Sequence, residues 1–350
     1  MKIGIVTVYN SMNYGAFLQA YAMKSYLESQ NHTVFFIKHH IRNPFLYSIA
    51  ETGYKLLSAK QKYREVLYIW HKYQNYVKNQ SLLPLCRINS KTFKELDVIL
   101  FGSDEIWNVR RKQISKYSIL FGHGFDDYVK IAFAPSLNNS RKEDFEKFPH
   151  LIKDLESFRH IAVRGQNSQK VIEEILGRKI EEVLDPTLLI ESEQYQPIEK
   201  PYKNEHYILV YAYRNTVEEN IVEKLKQYSR NHGYRLISVL SYLPWCDENP
   251  SLSAGELIHC FKKADFVFTS TFHGVALSLA FQKQFISVVE DKQIKIKELL
   301  KKFKLENRIV KNENDLENLI NTPVDYILIN NDLEKERKHC REIMDGFLQL

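Results

Sequence analysis

Short apolar runs alternate with helical repeats along most of the chain, and this alternation predicts a series of β-strands and α-helices. Residues 2–8 form an apolar run, residues 17–27 repeat apolar side chains at helical spacing, and residues 33–37 form a second run. This β-α-β opening is typical of a parallel sheet. Further strands are predicted at 97–101, 130–134, 159–165, 207–212, 234–240, 266–268 and 284–289.

A polar stretch with two prolines, residues 191–204, separates two such α/β series. We therefore predict two Rossmann-like domains, residues 1–192 and 203–331, that face each other across a cleft. A helical insertion in the first domain is predicted from about residue 45 to residue 80. Residues 332–350 are predicted to form a terminal helix that can pack back on the first domain.

The composition changes this picture little. The 350-residue chain is 44% hydrophobic and 26% charged, as in ordinary globular proteins, and its net charge is +6. It lacks a signal-peptide pattern and any apolar run of the ~18 residues that span a bilayer, which predicts a cytoplasmic protein. The four cysteines show no CxxC spacing, so neither a metal site nor a disulfide framework is expected. The small charge excess and the lack of a recognition motif argue against a nucleic-acid partner.

The predicted insertion mixes lysines with tyrosines and a tryptophan, Trp70. This mixture is compatible with peripheral contact with a membrane surface. A solvated helical insertion is the alternative.

The turn after the strand at 266–268 is the strongest candidate for chemistry. His273 follows this strand close to the start of a helix, where free N–H groups favour anions, and its imidazole titrates near neutrality. Ser270, Thr271 and Gly274 share the turn. A plain helix-capping histidine is the alternative.

Polar side chains also follow earlier predicted strands. Asp104 and Glu105 could take a proton from a hydroxyl group, although Asp104 could instead cap a helix. Trp107 offers a stacking face nearby. Arg164, at a strand end, could bind carboxylate or phosphate in a bidentate way, or could be a surface arginine paired with a glutamate.

Six ordered motifs resemble those of the polysaccharide pyruvyl transferase family. They lie at residues 13–22, 102–108, 134–136, 163–164, 184–189 and 271–274. Glu105 stands where the family usually has glutamine, and Thr271 stands where one branch of the family has arginine. The resemblance covers roughly residues 2–310.

This resemblance implies a pair of domains of the glycosyltransferase-B type. It also implies transfer of the enolpyruvyl unit of phosphoenolpyruvate to a sugar of a cell-surface polysaccharide precursor, forming a pyruvate ketal. Phosphoenolpyruvate is then the donor substrate, and no cofactor is expected. The acceptor sugar is either free or lipid-linked, and a lipid-linked acceptor would bring the protein to the inner face of the membrane.

The resemblance also suggests roles for the candidate residues. The family's donor-binding arginine and histidine correspond to Arg164 and His273. His273 would give a proton to C3 of the donor, and Asp104 or Glu105 would take the hydroxyl proton. Ser270, Thr271 and Gly274 are the further candidates for donor binding, and the candidates for acceptor binding are Asn13, Tyr14, Gly15, Trp107 and Ser136.

Two other functions fit the same residues. One is a glycosyltransferase of the GT-B type that uses a sugar nucleotide, which would need the same two-domain cleft. The other is a non-catalytic member of a polysaccharide assembly complex, for which the departures at Glu105 and Thr271 leave room.

Overall fold

The computed structural model describes residues 1–39, 59–111, 116–202 and 206–349. The strands are β1 (Lys2–Val6), β2 (Thr33–Lys38), β3 (Leu85–Arg87), β4 (Val98–Phe101), β5 (Val129–Phe133), β6 (His160–Val163), β7 (Glu181–Glu182), β8 (Tyr207–Tyr211), β9 (Arg235–Ser238), β10 (Phe266–Thr269) and β11 (Phe285–Ser287). The helices are α1 (Tyr14–Ser29), α2 (Ala59–Gln80), α3 (Lys91–Lys94), α4 (Lys142–Phe145), α5 (Pro149–Glu156), α6 (Gln166–Leu176), α7 (Pro186–Leu189), α8 (Glu219–His232), α9 (Ala254–Lys263), α10 (Phe272–Ala280), α11 (Ile294–Lys302), α12 (Asp315–Asn321) and α13 (Tyr326–Leu348).

The strands form two parallel sheets. The first has the order β3-β2-β1-β4-β5-β6-β7, and the second has the order β11-β10-β8-β9. The order reverses between β1 and β4 in the first sheet and between β8 and β10 in the second. Ligands of such sheets bind at these reversal points. The predicted α/β class with two Rossmann-like units is confirmed.

The central strands are buried along their whole length. Every residue of β4, β8 and β10 is buried, because helices cover both faces of a parallel sheet. This is why these strands appear in the sequence as continuous apolar runs rather than as alternating patterns.

Helix α1 departs from the amphipathic helix that its spacing predicts, because it is buried on nearly all sides. Its first residue, Tyr14, donates a hydrogen bond through its hydroxyl to the carbonyl of Leu252 in the second half, at 2.7 Å. The buried Gln19 donates to Thr7 Oγ1 at 3.1 Å and accepts from the backbone N–H of Ser103 at 3.2 Å. The helix therefore lies between the first sheet and the second half of the chain.

Three other predicted elements differ in their bounds. The helix expected around 143–157 is two helices, because Pro149 has no N–H for an internal helical bond and instead starts α5. The terminal helix begins at Tyr326, where the side chain of Asp325 accepts a hydrogen bond from Ile327 N at 3.0 Å. The described part of the predicted insertion is α2, and residues 40–58 lie outside the described residues.

Helix α13 returns to the first half of the chain. Arg337 Nε donates to the carbonyl of Leu188 at 2.8 Å, and the backbone N–H of Leu184 donates to Cys340 Sγ at 3.2 Å. Both contacts lie next to α7. The terminal helix therefore braces the segment that connects the two sheets.

We predict that Gly102→Ala destabilises the protein strongly. Gly102 has a φ of 120°, and a Cβ atom there would lie 2.1 Å from the carbonyl oxygen of Phe133. Backbone strain and overpacking together should lower the free energy of unfolding by about 3 kcal/mol or more in urea titrations. Gly124→Ala is the matched control, because Gly124 has a φ of 82° but no neighbour within 4 Å. We expect that variant to lose only about 1 kcal/mol.

Candidate active site

The two points of strand-order reversal face each other. Asn13 follows β1, Tyr213 follows β8, and Asn13 Nδ2 donates a hydrogen bond to the Tyr213 hydroxyl at 3.0 Å. Asn13 also caps α1 by accepting from Gly15 N at 2.8 Å. The segments after β4 and β10 enter the same space, since parallel strands end at one edge of their sheet. The cleft between the halves is therefore lined by all four segments.

His273 lies at the start of α10, directly against α1. A Cβ atom on Gly15 would lie 2.2 Å from His273 Nδ1, so only glycine leaves room for the imidazole. Thr271 fixes this helix start by accepting a hydrogen bond from Gly274 N at 3.0 Å. His273 is 8% exposed, which places the imidazole at the contact between the two halves but within reach of the cleft.

A buried carboxylate, Asp185, connects Arg164 with His273. Asp185 Oδ2 accepts hydrogen bonds from Arg164 Nη1 and from Ser103 Oγ, the latter at 3.2 Å, and lies 3.8 Å from His273 Nε2. Its Oδ1 accepts from the backbone N–H and the hydroxyl of Thr187 at 3.0 and 2.7 Å. Asp185 is thus held in one orientation by groups from four segments.

These contacts set the protonation of the centre. Burial raises the pKa of Asp185, but Arg164 and His273 outweigh it and hold that pKa below its ordinary value. Burial lowers the pKa of His273, and the raising effect of Asp185 and Asp104 does not compensate for it. At neutral pH the centre therefore contains an ionised Asp185 and a neutral His273.

Several buried nitrogen atoms of the centre formed by Asp185, Arg164 and His273 have no hydrogen-bond partner within the described ranges. Among the described residues, Arg164 Nε, Arg164 Nη2 and His273 Nε2 have no hydrogen-bond partner. The guanidinium stacks on Phe272, with its carbon 4.4 Å from the ring centroid, and Arg164 Nη2 lies 3.9 Å from Asp104 Oδ1. Unpaired buried donors are costly, and an anionic oxygen is the partner that suits them best.

Glu105 is a poor candidate for the general base that the sequence suggested. Its buried carboxylate pairs with Lys295, accepts from Asn108 Nδ2 at 3.1 Å, and lies 3.7 Å from Arg111. Burial raises the pKa of Glu105, but Lys295 and Arg111 hold it well below the ordinary value. A carboxylate with so low a pKa has little affinity for a proton, which leaves Asp104 as the candidate base.

Helix α11 brings Lys295 from the second half to the first. Glu298, one turn further along, accepts a hydrogen bond from the backbone N–H of Asn167 at 2.7 Å. Lys302 lies 3.5 Å from Glu182. The spacing of residues 295, 298 and 302 places these three side chains on one face of the helix. Helix α11 therefore fastens the two halves together beside Arg164.

The remaining residues of the histidine turn bond locally. Ser270 Oγ shares a hydrogen bond of 2.5 Å with Thr216 Oγ1, and Thr271 caps α10. A Cβ atom on Gly274 would lie 1.9 Å from Thr269 Oγ1. These residues shape the turn that presents His273, which differs from the direct donor contact that the sequence predicted for Ser270, Thr271 and Gly274.

Three of the residues predicted to contact the acceptor have side chains that are buried in this structure. Trp107 has no exposed surface, and its indole N–H donates to the carbonyl of Leu120 at 3.0 Å. Tyr14 is buried between the halves. Ser136 is buried and accepts from Asn138 N at 3.1 Å. Asn13 lies at the cleft, where it bonds to Tyr213. Gly15 contributes by leaving space for the imidazole of His273.

The structure adds three residues to the site: Asp185, Lys295 and Tyr213. Asp185 stands in one of the six motifs and follows the last strand of the first sheet. Because ligands bind beyond the carboxyl ends of parallel strands, this position could have been recognised from the sequence. Lys295 carries no such signal, because it is one of several lysines on a basic helix. Tyr213 is recognisable only from its contact with Asn13 across the cleft.

Other kinds of site have little support in the described ranges. No group of three or more His, Cys, Asp or Glu side chains there is placed to hold a metal ion. No helix in those ranges combines the length and apolar character needed to cross a bilayer. The four cysteines are buried free thiols.

The fold and cleft define a protein of the GT-B architectural class. Trehalose-6-phosphate synthase OtsA superposes with a TM-score of 0.55 at 10% identity, over 100% of this chain and 99% of that one. The UDP complex of S. aureus MnaA gives 0.53 at 12% identity, covering 100% and 97%. An alpha-glucosyltransferase in complex with UDP and a 13-mer DNA gives 0.53 at 10%, covering 100% of both chains. At these identities the likeness shows the fold alone.

The sequence profile of the polysaccharide pyruvyl transferase family matches residues 13–292. The chain therefore belongs to this family, as its six motifs predicted. A search of curated protein sequences gives no match.

The lowered pKa of Glu105 predicts how acid affects stability. Because its folded pKa lies below the ordinary value of about 4.3, the Glu105–Lys295 pair stabilises the protein above that pH. This stabilisation is lost as the pH falls towards the folded value. Glu105→Gln should lose about 1–3 kcal/mol of unfolding free energy at pH 7 and should show a shallower decline on acidification than the wild type.

Urea titrations of both proteins between neutral and acidic pH measure this difference. Glu146→Gln, at an exposed position, is the control and should follow the wild-type curve. Parallel acid curves for wild type and Glu105→Gln would show that the pair does not contribute.

Proposed function

We propose that this protein transfers the enolpyruvyl unit of phosphoenolpyruvate to a sugar of a polysaccharide precursor and forms a pyruvate ketal. The observation that carries the proposal is the set of buried nitrogen atoms of Arg164 and His273 that have no hydrogen-bond partner among the described residues, at the meeting point of the two sheets. Family membership supports a transferase of this kind. Phosphoenolpyruvate supplies both a carboxylate and a phosphate for those groups.

Lys295 is the second cation of the proposed donor site. Its Nζ lies 5.8 Å from the centroid of Phe272, the ring on which Arg164 stacks at 4.4 Å. In the present state Glu105 neutralises Lys295. The donor must therefore compete with Glu105 for this cation.

The charges around the cleft nearly balance before the donor arrives. Three cationic side chains stand against three carboxylates at the centre, Glu298 of α11 lies beside them, and His273 is neutral. The charged groups are Arg111, Arg164 and Lys295, and Asp104, Glu105 and Asp185. An anionic donor then makes the site negative, and this charge raises the pKa of His273 towards protonation. The proton needed for the chemistry would arrive together with the donor.

The proposed reaction has two steps. A sugar hydroxyl oxygen bonds to C2 of the donor while C3 takes a proton from His273, and Asp104 accepts the hydroxyl proton. The bond from C2 to the phosphate oxygen then breaks, and a second hydroxyl oxygen bonds to C2 to close the ketal. Of the two hydroxyl protons released, one accounts for the proton at C3 and the other leaves with phosphate.

The proposed place for the acceptor is a groove on the α2 side of the cleft. It has a volume of about 390 Å³, lies between α2 and the segment after β9, and its walls include Tyr68, Tyr242, His71 and Asp247. Arg214, next to Tyr213 in the chain, donates to the carbonyl of Tyr242 in the groove wall at 3.0 Å. Aromatic faces with polar rims suit a sugar ring. Phosphoenolpyruvate is a metabolite of the cell interior, so the proposal places the reaction in the cytoplasm.

We expect phosphoenolpyruvate to bind with uptake of about one proton at neutral pH, since the bound anion raises the pKa of His273. Calorimetric titration in two buffers of different ionisation enthalpy measures this uptake. Affinity should fall as the pH rises, because the protonated histidine is the form that binds. His273→Gln should abolish the uptake.

A thermal-shift assay compares phosphoenolpyruvate with a sugar nucleotide. Phosphoenolpyruvate should raise the melting temperature by mass action, and a uridine diphosphate sugar should leave it unchanged. A rise with the sugar nucleotide alone would favour a glycosyltransferase. Loss of the phosphoenolpyruvate response in Arg164→Met would assign the effect to the buried guanidinium.

Lys295→Met should weaken phosphoenolpyruvate binding at least about tenfold, because one of two cations is lost from a partly buried anion site. Lys301→Met, at an exposed position of the same helix, is the matched control and should bind normally. Glu105→Gln should bind the donor more tightly than the wild type, because it frees Lys295. Equal affinities in all three variants would remove Lys295 from the donor site.

A further inference from the structure

Among the described residues, helix α2 bonds to the second half of the chain through one face. The Tyr68 hydroxyl donates to the carbonyl of Val239 at 2.9 Å, and Asn75 Nδ2 donates to the carbonyl of Ser251 at 3.0 Å. Asn79 Oδ1 accepts from Ala254 N at 3.1 Å. All three contacts reach the second half of the chain. They fix the rotation of α2 about its axis and thereby decide which residues point outward.

The outward face of α2 carries large apolar side chains. Tyr63 is 65% exposed, Leu67 37%, Trp70 46% and Val77 50%. Their spacings of four, three and seven residues place them in one stripe along the helix, opposite the anchored face. A helix on the surface of a globular protein usually has polar residues there. We call these four residues the α2 stripe.

The exposed charged residues that α2 itself supplies beside the α2 stripe are all basic. Lys60, Arg64, His71 and Lys78 lie along one side of it at spacings of four and seven residues. The single acidic residue within α2 is Glu65, which is buried and pairs with Arg214 at 2.8 Å. The outward surface of the helix therefore combines an apolar stripe with a basic row.

We propose that α2 lies flat on an anionic lipid bilayer, with the α2 stripe inserted among the headgroups and the basic row on the phosphates. Tyrosine and tryptophan favour this interface because each has an apolar body and a polar tip. The helix is about 33 Å long and lies along the surface rather than across it. This inference does not rest on the proposed transfer reaction.

The charge pattern favours a membrane over a second copy of the chain. In a symmetric dimer with antiparallel helices, each basic row would meet another basic row. With parallel helices, each row would meet the other flank of α2, which has no exposed acidic residue. An anionic bilayer instead offers negative charge over the whole length of the helix. Arg64, Leu67 and His71 also line the groove described above, so the groove would open at the bilayer surface. A lipid-linked sugar could then enter it without leaving the membrane.

Co-sedimentation of the full chain with vesicles tests the proposal. We expect binding to vesicles that contain phosphatidylglycerol, weaker binding at high salt, and little binding to pure phosphatidylcholine. Lys60→Glu combined with Arg64→Glu should weaken the binding at least about tenfold. Tyr63→Ser combined with Trp70→Ser should do the same through the apolar side.

Matched controls lie on α13. Lys335→Glu with Lys338→Glu changes the same charge at side chains that are 79% and 77% exposed. Ile327→Ser with Leu328→Ser removes apolar residues that are 78% and 66% exposed. Both controls should bind vesicles like the wild type. Absence of binding to anionic vesicles, or equal losses in the α13 controls, would overturn the proposal.

Trp70 provides a second readout that needs no disruptive variant. On binding, its emission should shift to shorter wavelength and be quenched by brominated lipids, and Trp70→Phe should remove both changes. Trp107, which is fully buried, should contribute no change. A dimer in solution that Tyr63→Ser with Trp70→Ser dissociates would assign the stripe to a second copy and so contradict the membrane contact.

Discussion

The geometry of the site depends on one buried charge, the carboxylate of Asp185. A carboxylate with almost no exposure is stable only if each oxygen is paired, and here Thr187 satisfies one oxygen while Ser103 and Arg164 satisfy the other. These partners come from separate strand ends of the first sheet. The pairing therefore fixes the first half of the cleft, and it leaves the far side of the guanidinium free to meet an anion.

The part of the site in the second half of the chain is positioned by close packing of α10 on α1 rather than by charge. His273 fits against α1 because residue 15 is a glycine, and Asn13, at the same turn, bonds to Tyr213. Helix α11 closes the side of the cleft with Lys295 and Glu298. The proposed donor site is thus shared between the halves, so donor binding should depend on how closely the two halves approach each other.

Two departures from the family pattern acquire a physical meaning in this arrangement. Glu105, where glutamine is usual, forms an ion pair with Lys295, and under the proposed function the donor would compete with Glu105 for this lysine. Thr271, where one branch has arginine, caps α10 and adds no charge. In the proposed donor site, Lys295 of α11 would supply the positive charge that is absent at position 271. This lysine lies 24 residues further along the chain.

The sequence by itself determined the class of fold, because a parallel sheet covered on both faces needs continuous apolar strands, and these are visible without a structure. It also located His273, Arg164 and Asp104, since the ends of parallel strands are predictable from the order of elements. The sequence did not show that Trp107 and Tyr14 are buried rather than exposed at the cleft. A core aromatic residue and a sugar-stacking one can occupy the same position after a strand. Only the tertiary structure brought Lys295 to Glu105 and turned the α2 stripe outward. Both depend on how one half packs on the other, and contacts between residues distant in the chain leave no local pattern.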